Sequence, residues 1–105
     1  MIHIENKEQF DKVISSGVTL VDFYASWCGP CRMLSPIIEQ IDEEYENKVT
    51  VAKVDVEECG DIAAKYGISA IPALLVFKDN NLARMNVGFI PRDDIANLLD
   101  QILAE

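Results

Sequence analysis

The chain has 105 residues, fewer than the roughly 150 of a typical domain, and is read as a single domain spanning 1–105. Half its residues are hydrophobic and 26% are charged, the balance of a globule with its own core rather than of a disordered chain. With 9 basic and 18 acidic residues the net charge is −9, which repels phosphate backbones and excludes charge-driven nucleic-acid binding; no apolar run approaches the roughly 18 residues of a membrane span.

Strand and helix patterns alternate along the chain. Ile2 to Ile4 reads as a short strand. Asn6, with Gln9 three residues on, has the form of a capping box, followed by the apolar stripe Phe10, Val13 and Ile14 and a stop at Gly17. Val18 to Ala25 is an almost continuous apolar run rich in β-formers, which suits a central strand covered on both faces. After the segment Cys28-Gly29-Pro30-Cys31, Leu34, Ile38, Ile41 and Tyr45 repeat at helical spacing, and Pro36 inside that stretch predicts a kink. Asp42, Glu43 and Glu44 read as its solvated face. Val49 to Val56 is a second buried strand, and Asp61 to Tyr66 a short helix ended by Gly67. Ala73 to Phe77 is a strand, Lys78 to Asn81 a turn that uses asparagine's tolerance of left-handed backbone, and Leu82 to Val87 an alternating edge strand. Met33 and Met85 read as packing. Ile95, Leu98, Leu99, Ile102 and Leu103 form a final amphipathic helix. The order β-α-β-α-β-α-β-β-α predicts parallel neighbours across each helical crossover and an antiparallel pair at the tight turn. The expected fold class is α/β, a mixed five-stranded sheet with helices on both faces.

The chemistry lies in Trp27-Cys28-Gly29-Pro30-Cys31, directly after a buried strand and at the start of a helix. Two cysteines at this spacing can close a small disulfide loop. A helix N-terminus offers unpaired N–H groups and partial positive charge, so a Cys28 thiolate there is stabilised and its pKa falls. The thiolate is the form that attacks disulfides. Cys31, one turn further in, is expected to be more buried and protonated until needed. Gly29 lets the backbone turn and Pro30 suits the first helical position. The competing reading is half of a zinc site, but that needs four ligands and only Cys59 and His3 remain. The odd thiol, Cys59, is either a partly exposed spectator or a secondary redox or dimerisation site. Three cysteines are too few for a disulfide framework, and Met1 to Glu5 lacks the basic-then-apolar pattern of a secretory leader. The expectation is a cytoplasmic protein whose cysteines do chemistry.

Asp22 interrupts the central apolar strand, on the same face as Leu20 and Tyr24. An unpaired carboxylate buried there is costly when charged, so its pKa is expected to rise toward that of a proton acceptor for Cys31. The other reading is a polar residue tolerated at a sheet edge or under a water.

At these residues the chain resembles the thioredoxin family over essentially its whole length. The resemblance rests on Val21 to Cys31 (VDFYASWCGPC), Lys53 to Glu58 (KVDVEE), Lys65 to Pro72 (KYGISAIP) and Val87-Gly88. It implies the thioredoxin fold, with four helices around the sheet, and the activity of a general protein-disulfide reductase. In that activity Cys28 matches the attacking cysteine and Cys31 the resolving one, cycling between dithiol and disulfide through a mixed disulfide with the substrate protein. A lowered thiol pKa is itself a known family property. Asp22 matches the family's buried aspartate, Lys53 the lysine that pairs with it, and Pro72 its cis-proline beside the cysteines. The resemblance further implies that the Ile71 backbone turns outward to pair with an extended substrate peptide. Trp27, Gly29, Pro30, Val56, Ala70, Ile71, Pro72, Gly88 and Phe89 match the apolar rim on which substrates dock. No cofactor is bound; the disulfide is re-reduced by a thioredoxin reductase, commonly an NADPH-dependent flavoprotein. The implied partners are disulfide-bearing proteins and that reductase, met by a monomer, with neither nucleic acid nor membrane.

The chain departs from the family pattern at Tyr24 for tryptophan, Ser35 for alanine, Ala73 for threonine, Asn80-Asn81 for Asn-Gly, Phe89 for a small residue and Pro91 for a Ser or Thr cap. Two other functions fit the same frame. A disulfide oxidase or isomerase is disfavoured, because a Gly-Pro spacer adds no polar group to stabilise the thiolate further. A non-catalytic, redox-gated subunit of a larger complex would survive loss of both thiols.

Overall fold

A computed structural model describes residues 1–105. Its elements are β1 (Ile2–His3), α1 (Lys7–Val13), β2 (Val18–Tyr24), α2 (Gly29–Glu44), β3 (Val49–Asp55), α3 (Gly60–Lys65), β4 (Ala73–Lys78), β5 (Asn81–Val87) and α4 (Arg92–Ala104). The five strands form one sheet in the order β1-β3-β2-β4-β5. β3 runs parallel to both β1 and β2, across the α1 and α2 crossovers, but the expectation of a parallel neighbour after every helix fails at α3. That connection brings the chain back into the sheet beside β2 from the opposite end, so β2 with β4 is antiparallel, as is β4 with β5 at the tight turn.

β2 sits at the centre and is buried at every position but its last. That is the physical reason for its nearly unbroken apolar sequence: helices cover both faces of the sheet. Leu20, Val51, Leu74 and Val76 meet Leu34, Ile38 and Ile41 of α2 and Ile95, Leu99 and Ile102 of α4 on one face. Val21, Phe23, Leu75 and Phe77 meet Phe10 of α1 and Ile62 and Ala63 of α3 on the other. Side chains alternate along a strand, so Asp22 shares the α2 face with Leu20.

Asn6 caps α1 by accepting the Gln9 N–H at 2.9 Å, but the capping box is incomplete: the Gln9 side chain accepts from Glu5 N rather than from the cap residue. At the β4–β5 turn both Asp79 (φ 49°) and Asn80 (φ 77°) are left-handed, as a two-residue hairpin requires. Asp79 is held there by accepting the Gly17 N–H at 2.8 Å through its carboxylate. α2 runs on through the exposed Pro36. Met33 and Met85 do not pack inside; they are 65% and 44% exposed, because α2 turns Met33 outward and β5 is an outer edge. The acidic face of α2 is partly engaged, with Asp42 on the chain's amino terminus and Glu44 on Arg92. Tyr45, just past α2, is buried, and its hydroxyl donates to the Asp100 carboxylate at 2.7 Å, tying α2 to α4.

Candidate active site

The end of β2 and the start of α2 converge on the two cysteines. Cys28 is the N-cap of α2, in extended backbone (φ −86°, ψ 113°), and Pro30 lies in the first turn. A helix of 16 residues thus begins directly after Cys28, and the Cys31 N–H donates to Cys28 Sγ at 3.2 Å. One of the helix's orphan donors is thereby spent on sulfur, the contact that favours a thiolate. Cys28 and Cys31 are joined as a disulfide, with Cα atoms 5.3 Å apart. Both residues are 5% exposed, so the expectation that Cys31 would be the more buried does not hold in the disulfide form.

The cysteines and Ala25 form a small apolar cluster with Tyr24, Val56 and Ile71 against it. The Ile71–Pro72 peptide is cis, and Ile71 O lies 4.0 Å from Cys28 Sγ. Neither the N–H nor the C=O of Ile71 takes part in a backbone–backbone hydrogen bond. Pro72 is buried, and its carbonyl accepts the Gly88 N–H at 2.8 Å, which ties the end of β5 to the proline loop. Gly88 has φ +100°, a conformation glycine adopts without the Cβ clash of other residues. Trp27 (65%) and Phe89 (43%) are exposed, as are Pro30 and Ala70, while Gly29 and Gly88 are half-buried.

Asp22 is 1% exposed, and its Oδ1 has no hydrogen-bond partner. Burial pushes its carboxyl up to about 6, against a smaller lowering by the Lys53 charge. Lys53 is the register partner of Asp22 on β3 but forms no ion pair with it. Its ammonium instead donates to Ser35 Oγ at 3.3 Å and lies 4.6 Å from the Tyr24 ring centroid. A cavity of about 130 Å³ opens here, lined by Tyr24, Cys31, Arg32, Ser35 and Lys53 among others.

Ser35 and Tyr24 carry no site role in the sequence reading. The available signal was spacing, since Ser35 is four residues after Cys31 and so shares its helix face. Cys59 is not a partly exposed thiol. It is 2% exposed at the start of α3, with Sγ donating to Ile4 O at 3.7 Å, because the loop into α3 folds under β1. No group of three or more His, Cys, Asp or Glu is placed to hold a metal ion, and no helix is long and apolar enough to cross a membrane.

Known proteins share both the sequence and this geometry. The family model "Thioredoxin" matches residues 1–101. A thioredoxin of Staphylococcus aureus (strain Mu50) is 47% identical over 94 residues, 90% of each chain. Among solved structures, a single-site mutant of the thioredoxin from Halobacterium salinarum NRC-1 superposes with a TM-score of 0.89 at 36% identity, covering 95% of this chain and 88% of that one. Plasmodium falciparum thioredoxin gives 0.88 at 28% identity, covering 96% and 98%. The chain belongs to the thioredoxin family and is a protein-disulfide reductase whose redox-active pair is Cys28–Cys31.

Proposed function

We propose that this chain works as a monomeric, single-domain reductant in which Cys28 attacks, Cys31 resolves and Asp22 takes the proton that the resolving step releases. The observation that carries the reading is Cys28 at the mouth of α2 with the Cys31 N–H on its sulfur. In the dithiol form the Cys28 thiolate attacks one sulfur of a partner's disulfide. A Cys28–partner bond forms and the partner's other sulfur leaves as a thiolate. The Cys31 thiol then loses its proton and attacks Cys28 Sγ. The Cys28–Cys31 bond forms, the partner's second sulfur leaves, and two electrons have passed to the partner.

The proton from Cys31 needs an acceptor, and Asp22, buried on the α2 face with a raised pKa, supplies one near neutral pH. The cavity beside Cys31 is large enough for several waters, and Lys53, the register partner of Asp22, lines it along with Cys31, which supports passage of a proton from the sulfur toward solvent. Lys53 limits the rise in the Asp22 pKa by its charge.

Docking falls to the surface around Cys28. The N–H and C=O of Ile71, neither paired with another backbone group and next to the cis Pro72, fit an extended partner segment laid alongside as a strand. Trp27, Gly29, Pro30, Val56, Ala70, Gly88 and Phe89 supply shallow apolar contact, which supports broad choice among partner proteins. The chain supplies both thiols of the exchange itself, and a thioredoxin reductase drawing on NADPH returns the disulfide to dithiol in the cytoplasm.

Trapping tests the roles. Cys31→Ser is expected to accumulate covalent adducts with disulfide-bearing proteins, and Cys28→Ser to accumulate none. Equal adducts with both variants would refute the assignment, and activity surviving both substitutions would favour a non-catalytic subunit.

A further inference from the structure

We propose that Ser35 is a positioning residue for the resolving step: its hydroxyl holds the Lys53 ammonium at the cavity beside Cys31, within electrostatic reach of Asp22 but out of contact with it. The inference rests on the reading of Asp22 given above. A lysine carries a compact, strongly hydrated charge on a flexible stem, so its position must be set by what it touches. Lys53 touches two groups, neither acidic: Ser35 Oγ at 3.3 Å and the Tyr24 ring at 4.6 Å. The first comes from α2 and the second from β2, so the packing of two separate elements locates the charge. Ser35 stands one turn beyond Cys31 on the same helix face. A single turn of α2 therefore sets both the resolving sulfur and the lysine.

The placement has chemical consequences. An ammonium in contact with Asp22 would hold the carboxylate charged and make it a weak base. An ammonium lost to water would leave burial less opposed and raise the carboxyl further. A cation held between these positions leaves the carboxyl near 6, close to the pH at which it has to accept a proton.

The other titratable groups around this face are Tyr24 on β2, Asp55 on β3 and Arg32 on α2, with His3 the register partner of Lys53 on β1; Cys31 is held in the disulfide. β4 and α4 contribute the apolar Leu74, Val76, Ile95 and Leu99 to this face, along with Lys78, which donates to Ile102 O, and Asp100, which accepts from Tyr45. Among them all, Lys53 alone acts appreciably on Asp22 by charge.

The test is a carboxyl-carbon NMR titration of Asp22 in the oxidised protein and its variants. Ser35→Ala is expected to let the ammonium drift outward and to raise the Asp22 midpoint by roughly half a unit or more. Ser35→Thr keeps a hydroxyl and is expected to restore the parent midpoint. In a Lys53→Gln background Ser35→Ala is expected to move nothing, because Ser35 acts through the lysine. An unmoved or lowered midpoint in Ser35→Ala would overturn the proposal. So would the same rise with Lys53 absent, which is the pattern of a purely structural role. The titration reads the resting protein. Failure of the Asp22 reading itself would show separately, as an unchanged pH–rate profile of the resolving step in Asp22→Asn.

Discussion

Replacing Asp22 by asparagine removes the buried charge while keeping the side chain's shape, and its effect on stability can be worked from the structure. The carboxyl titrates near 6 in the fold, against 3.8 for its ordinary value, because burial disfavours the ionised form. The native protein thus holds a proton on Asp22 across a range in which the unfolded chain has released it. Stability falls with pH wherever the native state binds more protons, so this group costs nothing below pH 3.8 and its penalty grows from there to about 6. Above that window the penalty is constant. The shift, 6 − 3.8, is about 2 units, and at 1.36 kcal/mol per unit it amounts to about 3 kcal/mol. Asp22→Asn is therefore expected to stabilise the oxidised protein by about 3 kcal/mol at pH 8, by less at pH 5, and by almost nothing at pH 3.5. The orphaned Oδ1 leaves no acceptor bond to lose. Urea unfolding of both proteins at each pH, compared as differences, isolates this one group from the other carboxylates. A gain below about 1 kcal/mol at pH 8, or one that does not shrink with acid, would refute a costly buried charge at this position.

Three other outcomes can be checked. Asp22→Ala is expected to slow release of the mixed disulfide by at least about tenfold while leaving the first attack nearly unchanged, followed by stopped-flow Trp27 fluorescence; equal slowing of both steps would contradict its place in resolution. Cys59 is expected to resist alkylation in the native oxidised protein and to react on unfolding, since burial above all pushes its thiol up; rapid native labelling would refute this. Tyr45→Phe loses the bond to Asp100 and is expected to lower stability by about 1–2 kcal/mol with an unchanged urea m-value.

The path of the chain was legible because periodicity reports burial directly. The run VTLVDFY has the composition of a strand covered on both faces, and β2 proves to be central. The stripe Ile95, Leu99 and Ile102 is the buried face of α4. Cys28-Gly29-Pro30-Cys31 announced a dithiol at a helix start because strand, turn and helix signals all met there. These are properties of neighbours in sequence, and local propensity and pattern suffice to set them.

Contacts between distant segments settled the rest. Cys59 looked exposed beside a glycine, yet it lies under β1, through a contact 55 residues away. Met33 and Met85 looked like core and face outward, since hydrophobicity does not say which side of a helix or edge strand finds a partner. Lys53 stands opposite Asp22 in register, which composition cannot show, and its ammonium turns to Ser35 on another element rather than to the carboxylate. Which residues could do the chemistry, and where the helix would begin, could be read along the chain. How far Asp22 is stripped of water, and where the nearest cation stands, came only with folding, because desolvation and Coulomb forces depend on distances in space and not along the chain.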